Sequence, residues 1–288
     1  MKKIVLSLLV VNSLIMANQL QDDISVAKAE AKTANDKVKE LEAKLPPNEK
    51  LMTHTELGFI KTDGNTKTKT FILEVKAKKG WDKHLLSILF DGQYAQDNNI
   101  ESKNKFFTEL GYGYSFTDRL SGTYLIGYKQ DKFSGFDYQA YTGPGIKYLA
   151  IKTDAHNLNL GGSLLYSEDN VEDTNYDASG NVITYPNANN IATTNTTRGM
   201  INKYGSYRAK GVYTWQVLTN LSFYQELTYR AEFKDSSVYF AYSKTALSSK
   251  ISDMFSASIS YKADYVNSPP TGKKNTDTTF TANLVIDY

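Results

Sequence analysis

Period-two alternation over about twelve segments, tight turns that alternate with longer links, and a final stretch with one apolar face together predict an all-β chain. The fold class they predict is a transmembrane antiparallel up-and-down β-barrel of about 12 strands, preceded by a short N-terminal α-helix. The final stretch, Phe280–Tyr288, has Phe280, Ala282, Leu284, Ile286 and Tyr288 on one face. Thr281, Asn283, Val285 and Asp287 lie on the other. A strand with one oily and one mostly polar face suits a wall between lipid and a wet interior.

The elements follow in chain order. Lys2 and Lys3 precede an apolar run from Ile4 to Met16, and Ala17 is a small residue at the expected cut. This has the form of a secretory signal peptide over 1–17. The segment 18–47 is expected to be a periplasmic amphipathic helix or coiled coil. Its seam is Leu20, Ile24, Ala27, Ala31, Ala34, Val38, Leu41 and Leu45, in alternating steps of four and three. Pro46-Pro47 ends it, because proline has no amide to donate and clashes with the preceding turn. The seam fits a helix lying on its own protein as well as one that joins subunits through 20–45, since its central alanines are thin.

The barrel is expected over 48–288, and from Lys50 onward the period is two. In Phe255–Tyr265, Phe255, Ala257, Ile259, Tyr261, Ala263 and Tyr265 oppose Ser256, Ser258, Ser260, Lys262 and Asp264. Strands are expected near 50–61, 67–79, 83–96, 105–116, 119–131, 138–151, 155–168, 203–217, 220–232, 237–250, 254–266 and 276–288. The segment 237–250 has aromatic and small residues on both faces, so its orientation stays open. Tight links are expected at Lys79–Asp82, Thr117-Asp118, Lys152–Asp154, Thr219-Asn220 and Ser252-Asp253. Longer ones are expected at Asp97–Asn104, Lys132–Asp137, Asp169–Asn202 and Asn267–Asn275, with the short tip Asp63-Gly64-Asn65 as exception. This asymmetry places the tight turns and both mature termini in the periplasm and the barrel in the cell outer membrane.

Composition narrows the chemistry. The 288 residues carry 33 Lys and Arg against 31 Asp and Glu, a balance that gives no argument for nucleic acid. Cysteine is absent, so thiolate metal sites and disulfides are excluded. No cofactor is called for, and no metal-ligand spacing occurs. Asp169, Glu172, Asp173 and Asp177 fit no standard calcium loop and are expected to be a solvated acidic loop. His54, His84 and His156 fall near the periplasmic end of separate strands, so no catalytic residue is assigned and no enzymatic activity is expected.

Alternation turns seven acids inward, Glu56, Glu74, Asp91, Glu109, Glu226, Glu232 and Asp264. It turns seven bases inward as well, Lys76, Lys129, Lys147, Arg208, Lys210, Arg230 and Lys262. An open lumen with this balance would select weakly between ions, since rings of one sign are what select. Pairing across the lumen would fill it instead. Arg208, Lys210 and Arg230 form the best anion-attracting patch.

At the outer rim, Asp131, Lys132 and Asp137 flank Ser134-Gly135. A turn tied by a Lys–Asp pair and capped at the lipid interface by Phe133 and Phe136 is expected there. Gly143-Pro144-Gly145 is expected to mark a bend or bulge in the wall.

Three stretches carry a family resemblance: "TELGFIKTDGNTKTKT" (55–70), "YKQDKFSGFDYQAYTGPGIKY" (128–148) and the final strand. Together they resemble the YdiY-like salt-induced outer membrane proteins, over roughly 50–288. The resemblance implies an outer-membrane barrel and carries no assigned chemistry. In such proteins Phe280, Leu284, Ile286 and Tyr288 would be the signal taken up by the barrel-assembly machinery. The expected function is a narrow, weakly selective porin for small hydrophilic solutes or ions. The alternatives are a structural or salt-responsive envelope protein with a plugged lumen and, least favoured, an outer-membrane hydrolase.

Overall fold

The computed structural model describes residues 25–26, 28–30, 32–37, 51–62 and 67–288. The chain divides into two units, Met1–Lys50 and Leu51–Tyr288. In the first, the described residues between 25 and 37 are helical and exposed. Of the expected seam only Ala34 is among them. The signal peptide, the rest of the seam, Pro46-Pro47 and the tip Asp63-Gly64-Asn65 lie outside the described residues.

The second unit is a closed antiparallel barrel of twelve strands. They are β1 (Leu51–Thr62), β2 (Thr68–Trp81), β3 (His84–Asp97), β4 (Ile100–Ser115), β5 (Leu120–Asp131), β6 (Phe136–Lys152), β7 (His156–Val171), β11 (Ile201–Leu218), β12 (Leu221–Glu232), β13 (Tyr239–Lys250), β14 (Phe255–Val266) and β15 (Thr276–Asp287). Between β7 and β11, β8 (Thr174–Tyr176), β9 (Val182–Ile183) and β10 (Asn195–Thr197) form a separate sheet ordered β10-β8-β9. Each barrel strand pairs with its neighbours in sequence, and β15 returns to β1.

The wall sorts its side chains as the period of two requires. Outward positions carry Phe71, Leu86, Ile88, Leu110, Tyr112, Ile126, Leu164, Leu227, Ile259, Phe280 and Leu284, all exposed. Inward positions carry buried polar groups, among them Glu56, Glu74, Asp169, Arg208, Glu226, Arg230, Lys244 and Lys262. Monomers in water rarely expose contiguous apolar surface beyond a few hundred Å². A belt around the whole barrel is stable against hydrocarbon, and closure leaves the wall without a free sheet edge.

The strand ends follow turn chemistry. The link expected over Asp97–Asn104 is instead the two-residue turn Asn98-Asn99. Both residues have positive φ, 50° and 65°, which asparagine tolerates and a tight hairpin needs. β4 therefore begins five residues earlier than its apolar pattern indicated, and a bulge at Ala95/Gln96 absorbs the offset. Likewise β2 runs on to Trp81, and the turn is Asp82-Lys83 rather than Lys79–Asp82. Asp169, expected in a loop, belongs to β7.

At the rim away from the chain termini, here termed the outer rim, the Asp131 carboxylate accepts from the Phe133 amide at 3.0 Å, and its carbonyl accepts from the Ser134 hydroxyl at 2.7 Å. No Lys–Asp pair ties this turn. Lys132 Nζ faces Glu101 at 3.6 Å, and Asp137 accepts from Asn170 at 3.1 Å. Phe136 does not face lipid either: it is 6 % exposed and stands edge-on to Phe240 inside the barrel. Gly143-Pro144-Gly145 allows close approach, since a Cβ on Gly143 would lie 2.1 Å from the Leu164 carbonyl oxygen. The β6–β7 bulges fall elsewhere, at Phe136/Tyr138 and Leu149/Ile151.

The seam differs from the other pairings. β1 and β2 match over twelve pairs, from Leu51↔Lys79 to Thr62↔Thr68. β1 and β15 match over four, His54↔Asp287 to Leu57↔Leu284, extended by two hydrogen bonds between Thr53 and Tyr288.

Lysine at an outward midwall position should be costly. Ile126→Lys is expected to lower barrel stability by about 2–4 kcal/mol, measured by urea titration of the folded, heat-modifiable band. Lysine at exposed Lys132's neighbour Phe133, in the rim turn, should leave that midpoint nearly unchanged.

Candidate functional site

The interior is the part of the molecule with chemistry to offer. Twelve strands enclose a space narrow enough for lysine and arginine to reach far around the wall. β5 and β14 stand opposite each other, six places apart by either route around the ring. Lys129 on β5 nevertheless meets Asp264 on β14, Nζ to Oδ1 at 3.5 Å, and Lys105 on β4 meets the other oxygen at 3.0 Å. A second group joins four more strands. Lys244 on β13 reaches Glu56 on β1 at 2.6 Å and Glu74 on β2 at 2.8 Å. Lys262 on β14 reaches Glu74 at 2.7 Å and Asp91 on β3 at 2.5 Å.

The remaining wall carries three further groups. Arg208 on β11 donates to Glu109 on β4 at 2.5 Å. Tyr141, on β6, also donates to Glu109, and it lies across Gly127, where a Cβ would sit 2.2 Å from the ring. Nearer the outer mouth, Arg230 faces Asp169 at 3.4 Å, donates to Ser167 at 2.8 Å, and stacks 4.3 Å from the Phe240 ring centre. Tyr204 donates to the same aspartate at 2.5 Å. Toward the tight-turn end, Lys210 pairs with Glu226 at 2.6 Å, and Tyr224 donates to Glu226 at 2.5 Å.

The structure thus brings together most of the residues that alternation turned inward. Glu109, Lys129, Arg208, Lys210, Glu226, Arg230, Lys262 and Asp264 all belong to these groups. Lys147 lies inside as well but joins none of them. The anion patch of Arg208, Lys210 and Arg230 does not survive as such, because each of the three has its own carboxylate. Lys244, 2 % exposed, carries two ion pairs, and its own strand does not reveal it because both faces look alike. Pairing from β12 identifies it, since Lys244 stands opposite Glu226. Lys105 is the first residue of the strand expected over 105–116 but lies within β4, and Lys78 follows Glu74 and Lys76 in simple alternation.

The histidines divide by position. His84 and His156 begin their strands, stack on Trp81 and Trp215, and share hydrogen bonds of 2.7 Å with Tyr112 and Tyr213. Both belong to an aromatic girdle at the tight-turn end. His54 sits at the seam, 2.7 Å from Asp287 and 3.1 Å from Glu56. In the long outer connection, Asp177 accepts from the Ser179 and Asn181 amides, each at 2.8 Å, and from the Asn181 side chain at 3.0 Å. The Asn181 side chain foremost, with these amides, holds its carboxyl below the usual range. Among the described residues no group of three His, Asp or Glu could hold a metal ion.

Among the described residues, two hollows lie between the paired charges. An outer one of about 170 Å³ lies among Lys105, Lys129, Arg230 and Phe240. An inner one of about 390 Å³ lies among Lys78, Ser87, Gly111, Lys147, Gly161 and Lys210.

Breaking a buried pair strands its partner, so Lys244→Ala, which takes from Glu56 its lysine while Glu74 keeps Lys76 and Lys262, is expected to destabilise the barrel by about 3–5 kcal/mol. A urea midpoint followed by gel mobility measures it. Adding Glu56→Gln to Lys244→Ala should recover part of the loss, because it removes the carboxylate that has lost its lysine.

No curated protein matches the sequence. Among solved structures, the NanC porin has 14 % identity over 82 % of this chain and 99 % of its own, with a TM-score of 0.44. The COG4313 outer membrane channel from Pseudomonas putida F1 has 9 % identity over 85 % and 97 %, with a TM-score of 0.47. The KdgM porin has 12 % identity over 83 % and 99 %, with a TM-score of 0.38. One family model matches residues 55–288, nearly the whole barrel, and the chain belongs to that family, described as "Protein of unknown function, DUF481".

Proposed function

We propose that the chain is an outer-membrane β-barrel protein whose interior is a narrow passage for small hydrophilic solutes or ions, with weak charge selectivity. The observation that carries this is the Lys129–Asp264 pair, which joins strands on opposite sides of the ring. A lumen spanned in this way passes far less than a wide, water-filled porin does. Charges of both signs line it, which favours weak discrimination between ions. Apart from Asn98-Asn99, the two-residue turns lie at the end holding Leu51 and Tyr288, and the long β7–β11 connection lies at the other, which supports a periplasmic position for the first.

In this reading residues 1–17 direct export and 18–47 form a periplasmic helix, with self-association through 20–45 as an open use of it. The outward face of β15, with Phe280, Leu284, Ile286 and Tyr288, is the assembly signal, and lipid covers the belt. The role is not enzymatic: His84 and His156 are engaged with aromatic rings at the rim, and His54 with carboxylates at the seam. The YdiY-like resemblance adds a salt-responsive role in the envelope.

A second reading has its own observation. Lys244 and Lys262 are almost completely buried, 2 % and 3 % exposed, as expected for a plugged barrel that serves the envelope structurally.

Single-channel recording of the refolded protein tests both. Small, reproducible current steps with little ion preference are expected from the native chain. Asp264→Asn should enlarge them and shift preference toward anions, because it removes the charge that holds Lys105 and Lys129. Silence from both proteins, each verified as folded, would overturn the channel and leave the plugged barrel.

A further inference from the structure

The inner hollow differs in charge from the rest of the interior. Five cations line it, Lys76, Lys78, Lys147, Arg208 and Lys210, against two carboxylates, Glu109 and Glu226. Both carboxylates are already engaged, Glu109 by Arg208 and Glu226 by Lys210. Lys76 is held by Glu74 at 2.8 Å and lies over the Tyr224 ring at 5.0 Å. Lys78 and Lys147 have neither an ion pair nor a hydrogen bond among the described residues, so two ammonium groups project into one chamber without a counter-charge.

The chamber's space is itself written into the wall. The inward positions of β4 after Glu109 are Gly111 and Gly113, and the inward position of β7 after Asn159 is Gly161. These side-chain-free positions, with Gly161 directly beside Lys147, make room where charge is concentrated. At about 390 Å³ the room is within the range of small-molecule pockets. Ser87, Thr123, Asn159 and Thr214 add polar groups to its lining.

We propose that this chamber binds a compact anion with two or more negative charges, borne by carboxylate or phosphate groups, with Lys78 and Lys147 as its principal ligands. An anion there relieves the mutual repulsion of the two lysines and the positive excess around them, and it gains contact with donors already in place. The proposal takes the interior as a passage, so it names the class of solute that dwells there. Monoanions and neutral solutes lack the second charge that the two ammonium groups require.

Calorimetric titration of the folded full chain in detergent tests this without reference to current. Citrate and inorganic pyrophosphate are the two probes, and acetate and glycerol are the comparisons. At low ionic strength, saturable one-to-one binding of at least one polyanion is expected. Citrate alone would indicate a carboxylate solute, and pyrophosphate alone a phosphate one. Affinity should fall by tenfold or more in Lys78→Gln/Lys147→Gln and by a smaller factor in each single variant. It should stay unchanged in Lys203→Gln, which removes an equal charge from a residue paired with Glu168 at the outer end. Neither lysine carries an ion pair, so the variants should fold; gel mobility checks this. No binding by the native chain, or equal binding by the double variant, would overturn the site. Silence in the bilayer with binding intact would overturn the passage and leave the anion site standing.

Discussion

In this barrel the radius governs everything else. A ring of twelve strands is narrow enough that a lysine from one wall meets an aspartate from the opposite wall, so interior charges cannot stay independently hydrated. Such groups leave water at a cost of several kcal/mol each unless a partner of opposite sign and further hydrogen bonds meet them. The near-equality of inward acids and bases is the sequence's answer to that constraint. Lys244 and Lys262 sharing Glu74 satisfy it with three residues on three strands. Where the radius would leave a hole, tyrosine fills it: Tyr141 crosses Gly127 to reach the carboxylate that also receives Arg208.

Charge satisfaction and open cross-section then draw on the same atoms. Every pair that satisfies a buried charge also occupies cross-section through which a solute would move. The outer half is the more committed: Arg230, Asp169, Tyr204 and Ser167 are all buried there, and Phe136 and Phe240 meet edge to face. The inner half is looser, because glycine replaces side chains on β4 and β7 while the lysines remain. An asymmetry of charge along the axis follows from an asymmetry of residue size.

Much of this was legible in the sequence because a strand has a period of two and offers only two faces. Counting every second residue places Glu109, Arg208, Glu226, Lys262 and Asp264 inside without any structure. The links were legible where composition was decisive, as at Thr219-Asn220. Failures occurred where the local signal was shared by two outcomes. β13 has aromatic and small residues on both faces, so Lys244 could not be oriented without its neighbour β12. Asn98-Asn99 can begin a loop or close a two-residue hairpin, and the choice belongs to backbone torsions. Partnership across the lumen was not legible at all. Arg208 and Glu109 are ninety-nine residues apart, and only the closed ring makes them neighbours.

The ring's closure has a further consequence. Beyond Leu57 the register between β1 and β15 stops, although both strands continue toward the outer rim, and the Asn283 side chain bridges to Glu56 at 2.8 Å beside the last pairs. Cohesion along this one line rests on few main-chain bonds, while the neighbouring lines hold eleven or twelve pairs. Amide protons along the outer part of this line will exchange with solvent soonest, and mechanical rupture will start there. Once it parts, the cylinder becomes a curled sheet, and Glu56, Lys244 and Glu74 turn from a sealed interior into a charged lip facing hydrocarbon.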